Sequence, residues 1–150
     1  MNNILQPKEG EYSKYFGRYL ALNTSDSYRD LILTQIDTCY AFFEAQDENW
    51  SNKPYAEGKW TPKEVLGHVI DTERIMTFRA LCFARGEKSA LPGFDQDPYV
   101  LNARFGQVAT FDLLQDFKYQ RLALLSLIKT LPEESLLNIG QASGNLITPR

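Results

Sequence analysis

Apolar residues recur at three- and four-residue spacing over three long stretches of this chain, and no segment sustains the alternation of a half-buried strand. The first stretch predicts a helix over about residues 26–46, opened by Ser25 or Asp26, with Tyr28, Ile32, Ile36, Cys39 and Phe43 in one stripe. The second predicts a helix from Thr61 to about Ala84, with Val65, Val69, Thr72, Met76, Ala80 and Phe83 on its buried side and Gly86 as terminator. The third starts at a Thr110 cap, carries Leu114, Phe117, Arg121, Leu124, Leu125 and Ile128, and stops at about Leu131, before Pro132. Weaker signals flank these. Tyr12, Tyr15, Phe16 and Tyr19 fit a short helix over residues 12–22 that Gly17 interrupts, and Asp97-Pro98 starts another through about Arg104. Residues 47–60, 87–97 and 132–147 read as polar or turn-rich connectors.

The best-marked boundary is Thr61-Pro62-Lys63-Glu64. Thr61 suits an N-cap, Pro62 suits the first helical position, and Glu64 completes a capping box back to Thr61. Two turns further lies His68, the one histidine, on the side shared with Val65, Thr72 and Ile75, which points its imidazole toward the apolar interior or its edge. Such a residue is either a satisfied core histidine or a metal ligand. At the other end, Thr148-Pro149-Arg150 repeats the cap and first-turn chemistry of Thr61-Pro62 and announces a fourth helix. The expectation is therefore a truncated or cleaved form of a longer chain. Three amphipathic helices and an announced fourth predict an all-α four-helix bundle, a single domain over residues 1–150.

Composition narrows the function classes. A chain of 150 residues supports a real core without staples. Sixteen basic against nineteen acidic residues give a net charge of −3 with no basic run, which argues against nucleic acid and against an anionic membrane surface. No stretch has the length to cross a bilayer, and the N-terminus lacks a charged region followed by an apolar one, so a cytoplasmic location is expected. Cys39 and Cys82 form no CxxC pair and read as small hydrophobes.

Motif order adds a resemblance. Lys59-Trp60-Thr61, Glu64-Val65-Leu66-Gly67-His68, Asp71-Thr72-Glu73-Arg74, Arg79-Ala80-Leu81, Arg85-Gly86 and Leu91-Pro92-Gly93-Phe94-Asp95-Gln96-Asp97 occur in an order that resembles the DinB-like superfamily. Within it the chain is most similar to the YfiT-like metal-dependent hydrolase and bacillithiol-transferase branch, from about Tyr12 onward. The resemblance implies a four-helix bundle and one divalent metal, nickel, zinc or similar, held by three histidines. His68 matches the first of these. The other two sit four residues apart on the family's last helix, whose opening Thr148-Pro149-Arg150 matches. This chain has no second histidine, so the three-histidine set is incomplete and this form is expected to hold no metal.

Other residues are candidates in that setting. Asp71 could orient the His68 imidazole or pair with Arg74. Glu64 could lend a carboxylate, although neighbours on one helix rarely surround an ion. Glu73 and Arg79 could be polar groups beside the metal or members of ion pairs. Tyr12, Tyr15, Tyr28 and Trp60 read as core or pocket-wall aromatics, Trp60 also as a hydrophobic staple, and residues 91–97 as a pocket rim. The implied activity is hydrolysis, or transfer of a low-molecular-weight thiol to a small-molecule substrate, by Lewis-acid activation. The alternative is a non-catalytic helical bundle serving as a binding or stress-associated interaction module. A remnant of three helices would expose an apolar groove, for which a homodimer is the expected cover.

Overall fold

The computed structural model describes Ile4, residues 6–25 and residues 27–150. Six α-helices occur among these residues: α1 (Gly17–Leu20), α2 (Tyr28–Glu44), α3 (Glu48–Ser51), α4 (Pro62–Ala84), α5 (Gln96–Ala103) and α6 (Thr110–Thr130). Helix dominates, as the apolar spacing requires. The one sheet among the described residues is a hairpin of three-residue strands, β1 (Gly140–Ala142) and β2 (Asn145–Ile147), in a stretch expected to be plain connector. Ser143 and Gly144 turn it, both at positive φ (51° and 75°), the conformation of a two-residue type I′ turn.

Local chemistry sets the helix ends. At α4 the capping box forms in both directions: Glu64 N–H donates to Thr61 Oγ1 at 3.2 Å, and Thr61 N–H donates to Glu64 Oε2 at 2.7 Å. Its C-terminus closes as a Schellman motif, with Gly86 at φ 86°, Gly86 N–H on Phe83 O at 3.0 Å and Glu87 N–H on Cys82 O at 2.9 Å. The cap of α2 differs from expectation. Ser27 Oγ accepts from Asp30 N–H at 3.3 Å, while Ser25 Oγ only braces Ser27; Asp26 lies outside the described residues. Thr110 opens α6 without capping it, since its hydroxyl donates to Glu48 Oε2 at 2.6 Å. Short pieces add to the expected set. Asp47 caps α3 by accepting from Trp50 N–H at 2.7 Å, and 3₁₀ turns occupy Lys14–Phe16, Phe105–Gln107 and Glu133–Leu137. Gly17 does not interrupt the first helical stretch but begins α1.

The chain forms two compact units whose boundaries fall inside α2, α4 and α6 and in the loop before α5. One unit comprises Met1–Leu31, Ile75–Phe94 and Leu124–Arg150. Its core holds Ala84, Leu131 and Leu136, with Ile4 and Leu127 packed against them. Phe83 lies beneath the hairpin so closely that a Cβ on Gly140 would fall 2.0 Å from its ring. Asn138 Nδ2 donates to Phe83 O at 3.0 Å and to Ala84 O at 3.4 Å, tying the end of α4 to the approach to β1. Leu91 bridges to the hairpin through Leu91 N–H on Gln141 O at 2.9 Å and Ser143 N–H on Leu91 O at 3.2 Å.

The other unit comprises Ile32–Arg74 and Asp95–Ala123. Phe43, Leu66, Ile70, Val100, Phe105, Leu113, Leu114 and Phe117 form its core, and Cys39, Tyr40, Trp50, Trp60 and Val108 pack onto it. Over its first turns α4 therefore buries another side than expected, whereas Phe83 near its end is buried as expected. Leu66 and Ile70 are inside, whereas Val65 and Val69 are 47% and 37% exposed. Lys63 is buried at 1% exposure, its Nζ donating to Val108 O at 2.7 Å and pairing with Glu48. An ammonium out of water needs such partners, and α3 and the residue that closes the Phe105–Gln107 turn supply them.

Candidate functional site

The helix register carries His68 to a half-buried position on α4. Its ring lies against Trp60, with centroids 5.0 Å apart and planes tilted by 52°. Nδ1 is 3.4 Å from Thr72 Oγ1, one turn onward, and Nε2 meets no hydrogen-bond partner among the described residues. Thr72, rather than Asp71, is thus the side chain beside the imidazole. Asp71 Oδ1 faces Arg74 Nη1 at 3.5 Å, and Arg74 also pairs with Asp116 on α6. Glu64 is engaged in the capping box.

Glu73 turns toward α6, where its Oε2 lies 2.9 Å from Arg121 Nε, off the line of an N–H···O hydrogen bond. Burial pushes the Glu73 carboxyl above its ordinary value, with Arg121 pulling it the other way. Arg121 Nη1 also donates to Gln35 Oε1 at 2.9 Å, and its guanidinium sits 4.8 Å from the centre of the Phe117 ring. Arg79 belongs to the other unit. Its Nη2 donates to Pro92 O at 2.8 Å and to Ser143 Oγ at 2.9 Å, so it fastens the loop after α4 to the hairpin. Residues 91–93 are thereby held against β1. Of the aromatics expected to be enclosed, Tyr15 is exposed, Tyr28 is half-buried, and Tyr12 lines a cavity in the same unit as Arg79.

Spacing did not reveal a trough of about 920 Å³ beside α4, with Phe42, Trp50, Trp60, Val65, Val69 and Phe117 on its walls. Its polar side chains are a minority: Gln35, Thr38, Lys53, Tyr55 and Arg121. That is the composition of a small-molecule site, apolar with a small number of placed polar atoms. Cys39 also lines it, but burial pushes the thiol up, with Arg121 opposing, and a protonated thiol is a poor nucleophile. Trp60 links the two features, because it walls the trough and carries the His68 ring. The sequence signal for the trough was the doubled apolar pairs Val65-Leu66 and Val69-Ile70, which give α4 two apolar sides.

Among the described residues no three His, Cys, Asp or Glu side chains gather as a set that could hold a metal. Around His68 stand an indole and a hydroxyl, with the nearby carboxylates engaged elsewhere. The residues present do not by themselves fit the three-histidine centre that the resemblance implies. No helix is long and apolar enough to cross a membrane among the described residues.

Comparison with known proteins places this geometry. No curated protein sequence matches the chain. Among solved structures, the fold is similar to one described as "YfiT from Bacillus subtilis is a probable metal-dependent hydrolase with an unusual four-helix bundle topology", at a TM-score of 0.72 and 15% identity. The match covers 97% of this chain and 79% of that one, and at this identity it speaks for the fold: the helical fold matches the four-helix-bundle type of YfiT, and the hairpin is a minor part of it. The family model described as the DinB superfamily matches residues 33–150, from within α2 to the last residue. On that match the chain belongs to the DinB superfamily.

Proposed function

We propose that this protein serves a metal-dependent hydrolysis of the kind ascribed to YfiT, with His68 as one metal ligand and the trough beside α4 as the binding surface for a largely apolar substrate. The observation that carries the reading is the setting of His68: a half-buried imidazole fixed by Trp60 and Thr72, with Nε2 unpartnered among the described residues. If Nδ1–H donates to the Thr72 hydroxyl, Nε2 holds the lone pair, the neutral form a metal requires. Among the described residues no further ligands gather with His68, and the role this reading gives the chain's own side chains is substrate binding. Walls of Trp60, Val65 and Val69 take an apolar body, and Gln35 and Arg121 offer it one polar anchor.

The test uses protein expressed from its complete gene and purified without chelators. Metal content by mass spectrometry and hydrolysis of a panel of aryl esters and amides are compared in wild type and His68→Ala. The reading expects near-stoichiometric divalent metal and hydrolysis in wild type, and loss of both in the variant. Equal metal content in the two proteins removes His68 as a ligand. Adding a small thiol such as cysteine to the same reactions separates hydrolysis from thiol transfer by the mass of the product. The trough favours one second reading, a non-catalytic binding module. Saturable binding of apolar ligands, with neither metal nor turnover in either protein, would decide for it.

A further inference from the structure

The unit built from Met1–Leu31, Ile75–Phe94 and Leu124–Arg150 holds a cavity of its own, of about 330 Å³, which the His68 reading does not use. Its wall combines Tyr12, Phe16, Tyr19 and Met76 with a buried cation, Arg79, which is 5% exposed. The Arg79 guanidinium meets a carbonyl, a hydroxyl, the Met76 thioether at 3.7 Å and the Phe94 ring, whose centre is 5.9 Å away. Among the described residues no carboxylate lies within ion-pair distance of it. A charge removed from water without a counter-charge is costly. Burial accordingly lowers the Arg79 pKa from its ordinary value, although a guanidinium stays protonated.

The other two charged side chains on the wall cancel. Arg150 Nη2 donates to both Glu11 oxygens at 2.5 Å, and Nε reaches Oε2 at 3.2 Å. The Arg150 hydrogen bonds hold the Glu11 carboxyl below its ordinary value, so Glu11 stays ionised and committed to Arg150. What remains on the wall is one positive charge, in a chain whose net charge is −3. A second group is also idle. Thr148, on the same wall, has a buried Oγ1 with no hydrogen-bond partner among the described residues. Buried polar atoms are nearly always satisfied, so an unsatisfied hydroxyl in the same cavity as an uncompensated guanidinium calls for a ligand that answers both.

We infer that this cavity binds a small organic carboxylate with an aliphatic or aromatic tail, the carboxylate meeting Arg79 and Thr148 and the tail lying against Tyr12, Phe16 and Met76. The guanidinium fork matches a carboxylate in geometry and charge. Its bonds to Pro92 O and Ser143 Oγ hold it in place before any ligand arrives, which reduces the ordering cost of binding. The inference is independent of any metal at His68.

The experiment is an NMR titration of the chain with 3-phenylpropionate and, separately, with its neutral isostere 3-phenylpropionamide. Saturable shifts centred on Met76, Arg79, Ser143 and Thr148 are expected, with the acid binding at least about tenfold more tightly than the amide, because hydrogen bonds to charged groups are the stronger class. Arg79→Gln should erase that preference. Since Arg79 also fastens the loop to the hairpin, Thr148→Val provides a milder variant that should weaken the acid severalfold with the spectrum otherwise unchanged. Equal affinities for acid and amide in the wild type would overturn the inference. So would an absence of saturable shifts at millimolar ligand, or shifts that map instead to Trp60, Val65 and Val69.

Discussion

Gly67 sets helix propensity against packing, and the two predict opposite signs for Gly67→Ala. Inside a helix, alanine is favoured over glycine by about 1 kcal/mol. Yet a Cβ on Gly67 would fall 2.5 Å from Cδ1, Cδ2 and Cε1 of the Phe105 ring, at least about 1 Å inside normal carbon–carbon contact at roughly 3.5–4.0 Å. Phe105 is buried in the core that also holds Leu66 and Ile70, so its ring has little room to retreat. Overpacking of a core costs about 1–3 kcal/mol, and three contacts on a rigid ring place this case near the upper end. Removing the propensity gain leaves a net destabilisation of about 1–2 kcal/mol. For a chain of this size that lowers Tm by roughly 2–8 °C. Thermal and urea melts of the wild type and the variant measure it. Repeating the exchange in a Phe105→Leu background isolates the cause: with the ring gone, the loss should shrink or turn into a gain. A Gly67→Ala protein more stable than wild type, or a penalty unaltered in the Phe105→Leu background, would refute the reasoning.

Three further outcomes follow from the geometry. Thr61→Ala removes one half of the α4 capping box and should destabilise by about 1 kcal/mol, read as a lowered melting temperature. Asn138→Ala strips the side-chain donor from Phe83 O and Ala84 O and should also lose about 1 kcal/mol, with hydrogen exchange accelerating first at the C-terminal turn of α4. Arg150 holds the Glu11 carboxyl below its ordinary value of 4.5, so this pair stabilises the fold above that pH and the contribution is lost as pH falls through the lowered value. Glu11→Gln should therefore be less stable than wild type at neutral pH and lose less stability on acidification, as urea midpoints at pH 7 and pH 3.5 would report.

What could be read from the sequence was what is decided within a few residues. The capping box at Thr61 and Glu64 spans one turn, and Gly86 closes the same helix within five residues, so both ends of α4 were legible. The side that α4 buries over its first turns was not. Val65, Leu66, Val69 and Ile70 are all apolar, and spacing alone cannot say which pair faces the core. The burial of Lys63 and Arg79 was not legible because the groups that satisfy them, Glu48 and Val108 for one and Pro92 and Ser143 for the other, are remote in sequence or are backbone atoms. The hairpin escaped notice because three-residue strands are too short to show alternation, and its only cue was the turn pair Ser143-Gly144. For the candidate site, the position of His68 on a helix was legible and its neighbours were not. The trough and the Arg79 cavity both arise from side chains brought together across long loops.

The buried ammonium of Lys63 bears on covalent labelling of the protein. Amine-reactive reagents meet Lys53 and Lys59 in open solvent, whereas the Lys63 amine is enclosed beneath the Glu48 carboxylate and the Val108 carbonyl. Acylation there has to wait for α3 and the first turn of α4 to separate, so with a fast reagent the rate at which this one amine is tagged counts opening events. Once tagged, the nitrogen is neutral and bulkier and cannot return to Glu48, so each acylated molecule is trapped in the parted state. Lysine acylation of this protein would thus act as a one-way ratchet on a breathing motion.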